Sequence, residues 1–193
     1  MTVNEIFSAP IFLAPMAGVT DSAFRSIVRE LIPAPYKPLM FAEMVSCNGI
    51  HYRNEKTLAM LQTLESERPI AIQLFGSDPA ICAEGAKFVE ELGTAAVIDF
   101  NLGCPAPKIV KNGEGSALMK NPKLVGEIFS AMRQATSLPL SAKIRLGFLL
   151  PMQRTRQFVP PHRVIKSKDA QAKVQSLSLR QFPRKSAVEK FQN

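Results

Sequence analysis

With 193 residues, 46% of them hydrophobic and 21% charged, the chain can bury a sizeable core and has the composition of one folded globular domain. Its net charge of +8 is not spread over that domain: Met1–Phe148 holds 14 basic and 14 acidic residues, leaving 10 and 2 for residues 149–193, and all 10 glycines lie at or before Gly147. Cys47, Cys82 and Cys104 form no CxxC pair, the start MTVNEIFSAPIF is no signal peptide, and no run approaches a membrane span. A disulfide framework, a zinc site and a membrane partner are excluded, and a cytoplasmic setting without metal is expected.

In chain order, short apolar runs alternate with amphipathic stretches. Pro10–Gly18, Leu39–Ser46, Pro69–Gly76, Ala96–Gly103 and Leu138–Gly147 read as strands; Asp21–Leu31, Asn54–Gln62, Pro79–Leu92 and Pro122–Thr136 carry apolar residues at helical spacing. Asp21 and Asp78 stand where N-caps belong, and Pro79 and Pro122 open helices in the first turn. Strands such as IFLAPMAG and IAIQLFG are nearly continuous in apolar residues, as in a parallel sheet covered on both faces. No GxGxxG follows the first strand, which weighs against a dinucleotide-binding open sheet. The expectation is an α/β fold of the TIM type, an incomplete (β/α) barrel of about five βα units over residues 1–148. From Leu149 to Asn193 a basic tail follows with no βα period and one weak helix at most, over Val164–Leu179.

In such a fold chemistry sits where strands end. The first strand ends in APMAGVTDSAFR, where small residues leave the backbone at Pro15, Met16 and Ala17 open to a flat ligand, or form a plain βα turn. On the third, period-two alternation groups Gln73 with Ala71 and Phe75, opposite Ile70, Ile72 and Leu74. A buried amide needs partners, either a heteroaromatic edge or a structural water, because leaving it unsatisfied costs roughly 1–3 kcal/mol. The fifth strand, LPLSAKIRLG, puts Lys143 and Arg145 on one face, where a negatively charged cofactor or a carboxylate such as Asp99 can balance them. The fourth runs into CPAPKIVKNGEGSALMKNP, read as a long polar loop hinged at Gly113 and Gly115. Cys104, at the tip of that strand, reads as a reactive thiol, whereas Cys47 and Cys82 read as small buried hydrophobes.

Together APMAGVTDSAFR, FAEMVS, IQLFGSDP, NLGCPAPKIVKNGEGSALMKNP and AKIRLG resemble the tRNA-dihydrouridine synthases, in that family's order and spacing over residues 9–148. The core of the resemblance is NxGCP at Asn101, Gly103, Cys104 and Pro105 with the glycine-containing loop behind it. The resemblance implies FMN at the mouth of the barrel, NADPH as its reductant, and tRNA as the partner whose flipped-out uridine is reduced. It implies that Pro15, Met16 and Ala17 cradle the isoalloxazine, that Gln73 and Lys143 are its polar edge contacts, and that Cys104 is the proton donor. Asn101 and Arg145 become substrate or flavin contacts.

The family continues past AKIRLG with further βα units, which hold the FMN phosphate, and a helical tRNA-binding domain, none of them visible here. The glycine-free tail therefore reads as a shifted reading frame or a truncated gene, and the chain as a truncated form with little activity. Two other readings stand beside this one. Another flavin barrel, such as a dihydroorotate dehydrogenase, is opposed by the NxGCP turn and its lysine-rich loop. A non-catalytic RNA-binding fragment would use the tail for salt-sensitive phosphate contacts.

Overall fold

A computed structural model of the chain describes residues 11–33 and 36–145; the basic segment from Leu149 and the helix expected within it lie outside the described residues. The elements are α1 (Ser22–Leu31), β1 (Met40–Ser46), α2 (Cys47–His51), α3 (Glu55–Ala59), β2 (Ile70–Phe75), α4 (Pro79–Glu91), β3 (Val97–Asn101), α5 (Pro107–Lys111), α6 (Pro122–Ala135) and β4 (Leu140–Lys143). Single 3-10 turns cover Glu65–Glu67 and Gly115–Lys120.

The helices start where their caps dictate. Asp21 accepts the N–H of Phe24 at 2.8 Å, Asp78 those of Ala80 and Ile81 at 2.9 and 3.0 Å, and Asn121 that of Leu124 at 3.2 Å. Each relieves donors that the first helical turn leaves unpaired, and Pro79 and Pro122 occupy first-turn positions where no N–H is needed.

The four strands form one sheet in the order β1-β2-β3-β4, all parallel. Sequential order, with helices in every crossover, is barrel order; a doubly wound sheet reverses direction at a switch point. The sheet and its helices form the expected incomplete barrel. The main core lies between one sheet face and the helices: Ile70, Ile72, Leu74, Ile98, Phe100 and Leu140 pack against Cys82, Ala86 and Val89 of α4 and Val125, Ile128, Phe129 and Met132 of α6. Phe100 and Phe129 meet edge to face at 5.7 Å, the arrangement that aromatic quadrupoles favour. A smaller cluster of Leu39, Phe41, Ala71 and Val97 lies apart from it.

Three expectations need correction. The first strand shrinks to one parallel bridge, Leu13 to Met40, because the chain turns at once. Val19 and Thr20 donate to the Met16 carbonyl at 3.0 Å, and Thr20 Oγ1 takes the Met16 N–H at 2.9 Å. Residues 47–51, given no element from the sequence, form α2, capped by Ser46 Oγ on the Gly49 N–H. The stretch after Cys104 is not one open loop: Pro107 starts α5, and buried Leu118 draws the next segment into a 3-10 turn.

Candidate active site

Alternation sorts each strand into two faces. Ile70, Ile72 and Leu74 go to the helices, and Ala71, Gln73 and Phe75 to the other face, as period two predicts. The register then stacks that face in layers. Phe41, Ala71 and Val97 form an apolar base; Gln73, Asp99 and Ser141 pair across one level above it; Asn101 and Lys143 pair at the C-terminal level. The polar levels therefore lie toward the strand ends, with a dry floor beneath them.

A continuous hydrogen-bond chain fills the polar levels. Ser141 Oγ donates to Asp99 Oδ1 at 2.6 Å, and Gln73 Nε2 donates to Asp99 Oδ2 at 2.6 Å. Asn101 Nδ2 donates to Gln73 Oε1 at 2.9 Å. Asn101 Oδ1 accepts the backbone N–H groups of Gly103 at 3.1 Å and Cys104 at 2.9 Å. Asp99 is 0% exposed, Gln73 1% and Asn101 7%, so these bonds satisfy groups that water does not reach. The resulting turn holds Cys104, a free and half-buried thiol, at the end of β3.

The segment behind Cys104 is packed onto it. Ser116 donates its N–H to the Cys104 carbonyl at 2.9 Å, and Gly115 sits at φ +58°, where a Cβ would fall 2.7 Å from that same oxygen. Only glycine fits a left-handed residue against a carbonyl in this way. Glu114 is buried, and its carboxylate accepts from the Asn48 amide at 3.5 Å; burial raises its carboxyl above the ordinary range, opposed by that Asn48 bond.

Of the expected site residues, the structure joins Gln73, Asn101 and Cys104 in one hydrogen-bonded unit, with Lys143 beside Asn101 in the ladder. Lys143 is half-buried and its ammonium enters no ion pair among the described residues. Asp99, weighed as its carboxylate partner, is engaged by Gln73 and Ser141 instead. Arg145 lies two residues beyond the end of β4, half-buried, so no ladder pairing fixes it on the face of Lys143. Pro15 is half-buried, and Met16 and Ala17 are exposed on the turn after Leu13. The Glu43 carboxylate fastens that turn to β1 by accepting the Gly18 N–H.

Cys47 and Cys82 are fully buried core residues, as expected, and the hydrogen bond between their thiols, followed by burial, pushes Cys47 well up. Sequence reasoning missed Asp99 and Ser141 as members of the site. Asp99 carried the same signal as Gln73, a polar residue on the inner face of a buried strand. Among the described residues no helix is long and apolar enough to cross a membrane, and no group of His, Cys, Asp and Glu can hold a metal ion.

Known proteins match most of this chain. The dihydrouridine synthase family model covers residues 12–159. A probable tRNA-dihydrouridine synthase of Treponema pallidum (strain Nichols) is 38% identical over 143 residues, covering 72% of this chain and 41% of its own length. The tRNA-dihydrouridine synthase B of Pseudomonas aeruginosa is 39% identical over 138 residues, with 72% and 40% covered, and that of Shewanella oneidensis 40% identical over 138 residues, with 72% and 41%. The chain thus spans about two fifths of the length of these curated relatives. With the match taking in well over half of its residues, and the NLGCP turn at the end of a buried parallel strand, the chain belongs to the dihydrouridine synthase family.

Proposed function

We propose that this chain carries the ring-binding and proton-donating face of an enzyme that reduces uridine in tRNA to 5,6-dihydrouridine, with FMN as the bound carrier and NADPH as its reductant, in the cytoplasm. The observation that carries this reading is the capped turn: Asn101 fixes the backbone on either side of the Gly103–Cys104 bond while Lys143 pairs with Asn101 in the ladder. A donor thiol and a cation are thereby held at one end of a buried sheet.

The residues present fit a flavin ring. Gln73 has one amide hydrogen and one carbonyl lone pair beyond those its two network bonds use. Lys143 offers an ammonium with no ion-pair partner among the described residues, and Met16 and Ala17 are exposed beside half-buried Pro15 on a tethered turn. FMN, when bound, supplies the hydride that reaches C6 of the uracil. The protein's part is to place charge and protons. Lys143 opposes negative charge at the ring edge, and the Cys104 thiol gives its proton to C5 as enolate-like charge builds on the base. Uridine reaches such a thiol only outside its stack, so the substrate is an unstacked base. Arg145 is the candidate contact for the nucleotide itself.

These contacts address the ring, not the phosphate. The protein should therefore purify without bound flavin and take up added FMN weakly, with riboflavin binding about as well. Titration by flavin fluorescence tests this. Saturable quenching that Lys143→Met weakens about tenfold, the scale of one charge-assisted bond, supports the reading. Cys104→Ala should leave that binding intact and, in a chain extended to the full length of its relatives, lower single-turnover dihydrouridine formation in unmodified tRNA by roughly 10²-fold or more. Quenching unchanged by Lys143→Met, or turnover unchanged by Cys104→Ala, would overturn the respective role.

A further inference from the structure

The hydrogen-bond chain across the sheet has a direction. The Gly103 and Cys104 N–H groups can only donate, so Asn101 must present its carbonyl oxygen to them and its NH2 to Gln73. Gln73 must then meet Asn101 with its own carbonyl and turn its NH2 the other way. Ser141 donates toward the same point from β4. Every proton in the chain thus points at Asp99, a fully buried group on β3 that accepts both amide and hydroxyl. A carboxylate has no hydrogen to offer, so neither neighbouring donor can be turned around without leaving a buried acceptor facing an acceptor.

From this geometry we infer that Asp99 is the positioning residue of the site: it sets which end of the Gln73 amide faces Asn101 and, through Asn101, holds the turn that carries Cys104. Asp99 is fully buried, and it reaches the Cys104 turn through Gln73 and Asn101. The inference about Gln73 as a ring contact rests on the proposed flavin role, whereas the inference about Cys104 stands on the hydrogen bonds alone.

The two therefore need separate readouts. Asp99→Leu removes both acceptor oxygens and keeps the branched framework, with methyls in their place. Asp99→Asn keeps one oxygen for Gln73 and turns its NH2 toward Ser141, whose hydroxyl can accept. The first readout is the rate of alkylation of each cysteine by iodoacetamide, followed by peptide mass spectrometry. Cys47 and Cys82 are fully buried and report global opening, while Cys104 reports its own turn.

Asp99→Leu should raise Cys104 alkylation about fivefold or more, the lower end of what an unsatisfied buried group costs, with Cys47 and Cys82 unchanged. Asp99→Asn should restore the parent rate within about twofold. The second readout is quenching of added FMN, which Asp99→Leu should weaken about tenfold and Asp99→Asn should keep.

If Asp99→Leu fails to fold, Gln73→Met breaks the same chain one link later and should raise Cys104 alkylation in the same selective way. Parent-like Cys104 alkylation in the folded leucine or methionine variant overturns the inference, as does an asparagine variant as disturbed as the leucine one. If the parent itself does not quench FMN while the alkylation pattern holds, Asp99 keeps its positioning role over Cys104 and the flavin reading alone fails.

Discussion

Alanine at Gly115 should damage the site more than alanine at Gly113, although the two glycines are two residues apart and share a left-handed backbone. Gly113 has φ +74° and open space where a Cβ would go; Gly115 has φ +58° and no such space. At both, a side chain in the left-handed region costs roughly 1–2 kcal/mol. At Gly115 the added Cβ also meets the Cys104 carbonyl oxygen at 2.7 Å, Ile109 Cγ2 at 2.8 Å and Cys104 Cβ at 3.1 Å. The isoleucine methyl can yield. The carbonyl cannot, because it accepts the Ser116 N–H and belongs to the turn that Asn101 caps.

Overpacking against a fixed group adds roughly 1–3 kcal/mol, so Gly115→Ala should cost roughly 2–5 kcal/mol against 1–2 for Gly113→Ala. Chemical denaturation of both variants under one set of conditions measures the difference, and iodoacetamide labelling of Cys104 shows whether the turn moved. Equal losses within about 0.5 kcal/mol, with parent-like labelling in both, would show that the segment behind Cys104 is not seated on its carbonyl.

Glu114 gives a pH dependence. Burial raises its folded pKa above the ordinary 4.5, so the protonated form is the one the fold favours. The stability it contributes is fully present below 4.5 and is lost as pH rises through the folded value. Glu114→Gln should be more stable than the parent at neutral pH and show a flatter profile in denaturant melts; a steeper profile would contradict the burial argument. At the other end of the sheet, Arg25 donates Nε and Nη2 to Glu67 Oε2 at 3.0 and 2.8 Å, with both side chains buried. Arg25→Met takes away the cation and leaves the buried carboxylate only the Ser22 hydroxyl as a side-chain donor among the described residues, which should cost roughly 3–5 kcal/mol by denaturation, whereas a loss below about 1 kcal/mol would mean that water reaches Glu67.

The parts of this fold legible in the sequence are those set by local rules. Gln73 was placed on the correct face by alternation alone, and α1, α4 and α6 began within a residue of their caps because Asp21, Asp78 and Asn121 act on their own next turn. What escaped depends on neighbours distant in sequence. The first strand reads as a run of apolar residues, but a strand exists only where a partner pairs with it, and Leu13 alone finds one. The helix at Cys47–His51 is short, and its cap, Ser46, is also the last residue of a strand.

Register was the hidden quantity in the site. Asp99 and Lys143 both lie on inner-facing positions, so sequence spacing allows them to pair; the ladder sets Asp99 level with Ser141 and Lys143 level with Asn101, one step apart. That single step makes the carboxylate weighed as an alternative partner of Lys143 a hydrogen-bond hub and leaves the cation without an ion pair among the described residues.

That separation decides which variants can distinguish binding from folding. Gln73 belongs to the fold as well as to the candidate site. Gln73→Met leaves Asp99 without one donor and Asn101 without its acceptor, two buried groups that each cost roughly 1–3 kcal/mol when unsatisfied. Weaker flavin binding in that variant would therefore say little about contact with the ring. Lys143 differs, because what it gives the fold is backbone: its carbonyl accepts the Leu102 N–H at 2.9 Å, and its side chain holds no ion pair among the described residues.

Lys143→Met keeps that backbone bond and most of the aliphatic stem, so the melting free energy should stay within about 0.5 kcal/mol of the parent. Gln73→Met should lose at least about 1 kcal/mol in the same experiment. If Lys143→Met proves as destabilising as Gln73→Met, the ammonium is a structural group with partners of its own, and its assignment to a ligand falls whatever the flavin titration shows. If stability holds while quenching of added FMN weakens, the lysine acts on the ligand and not on the sheet that carries it.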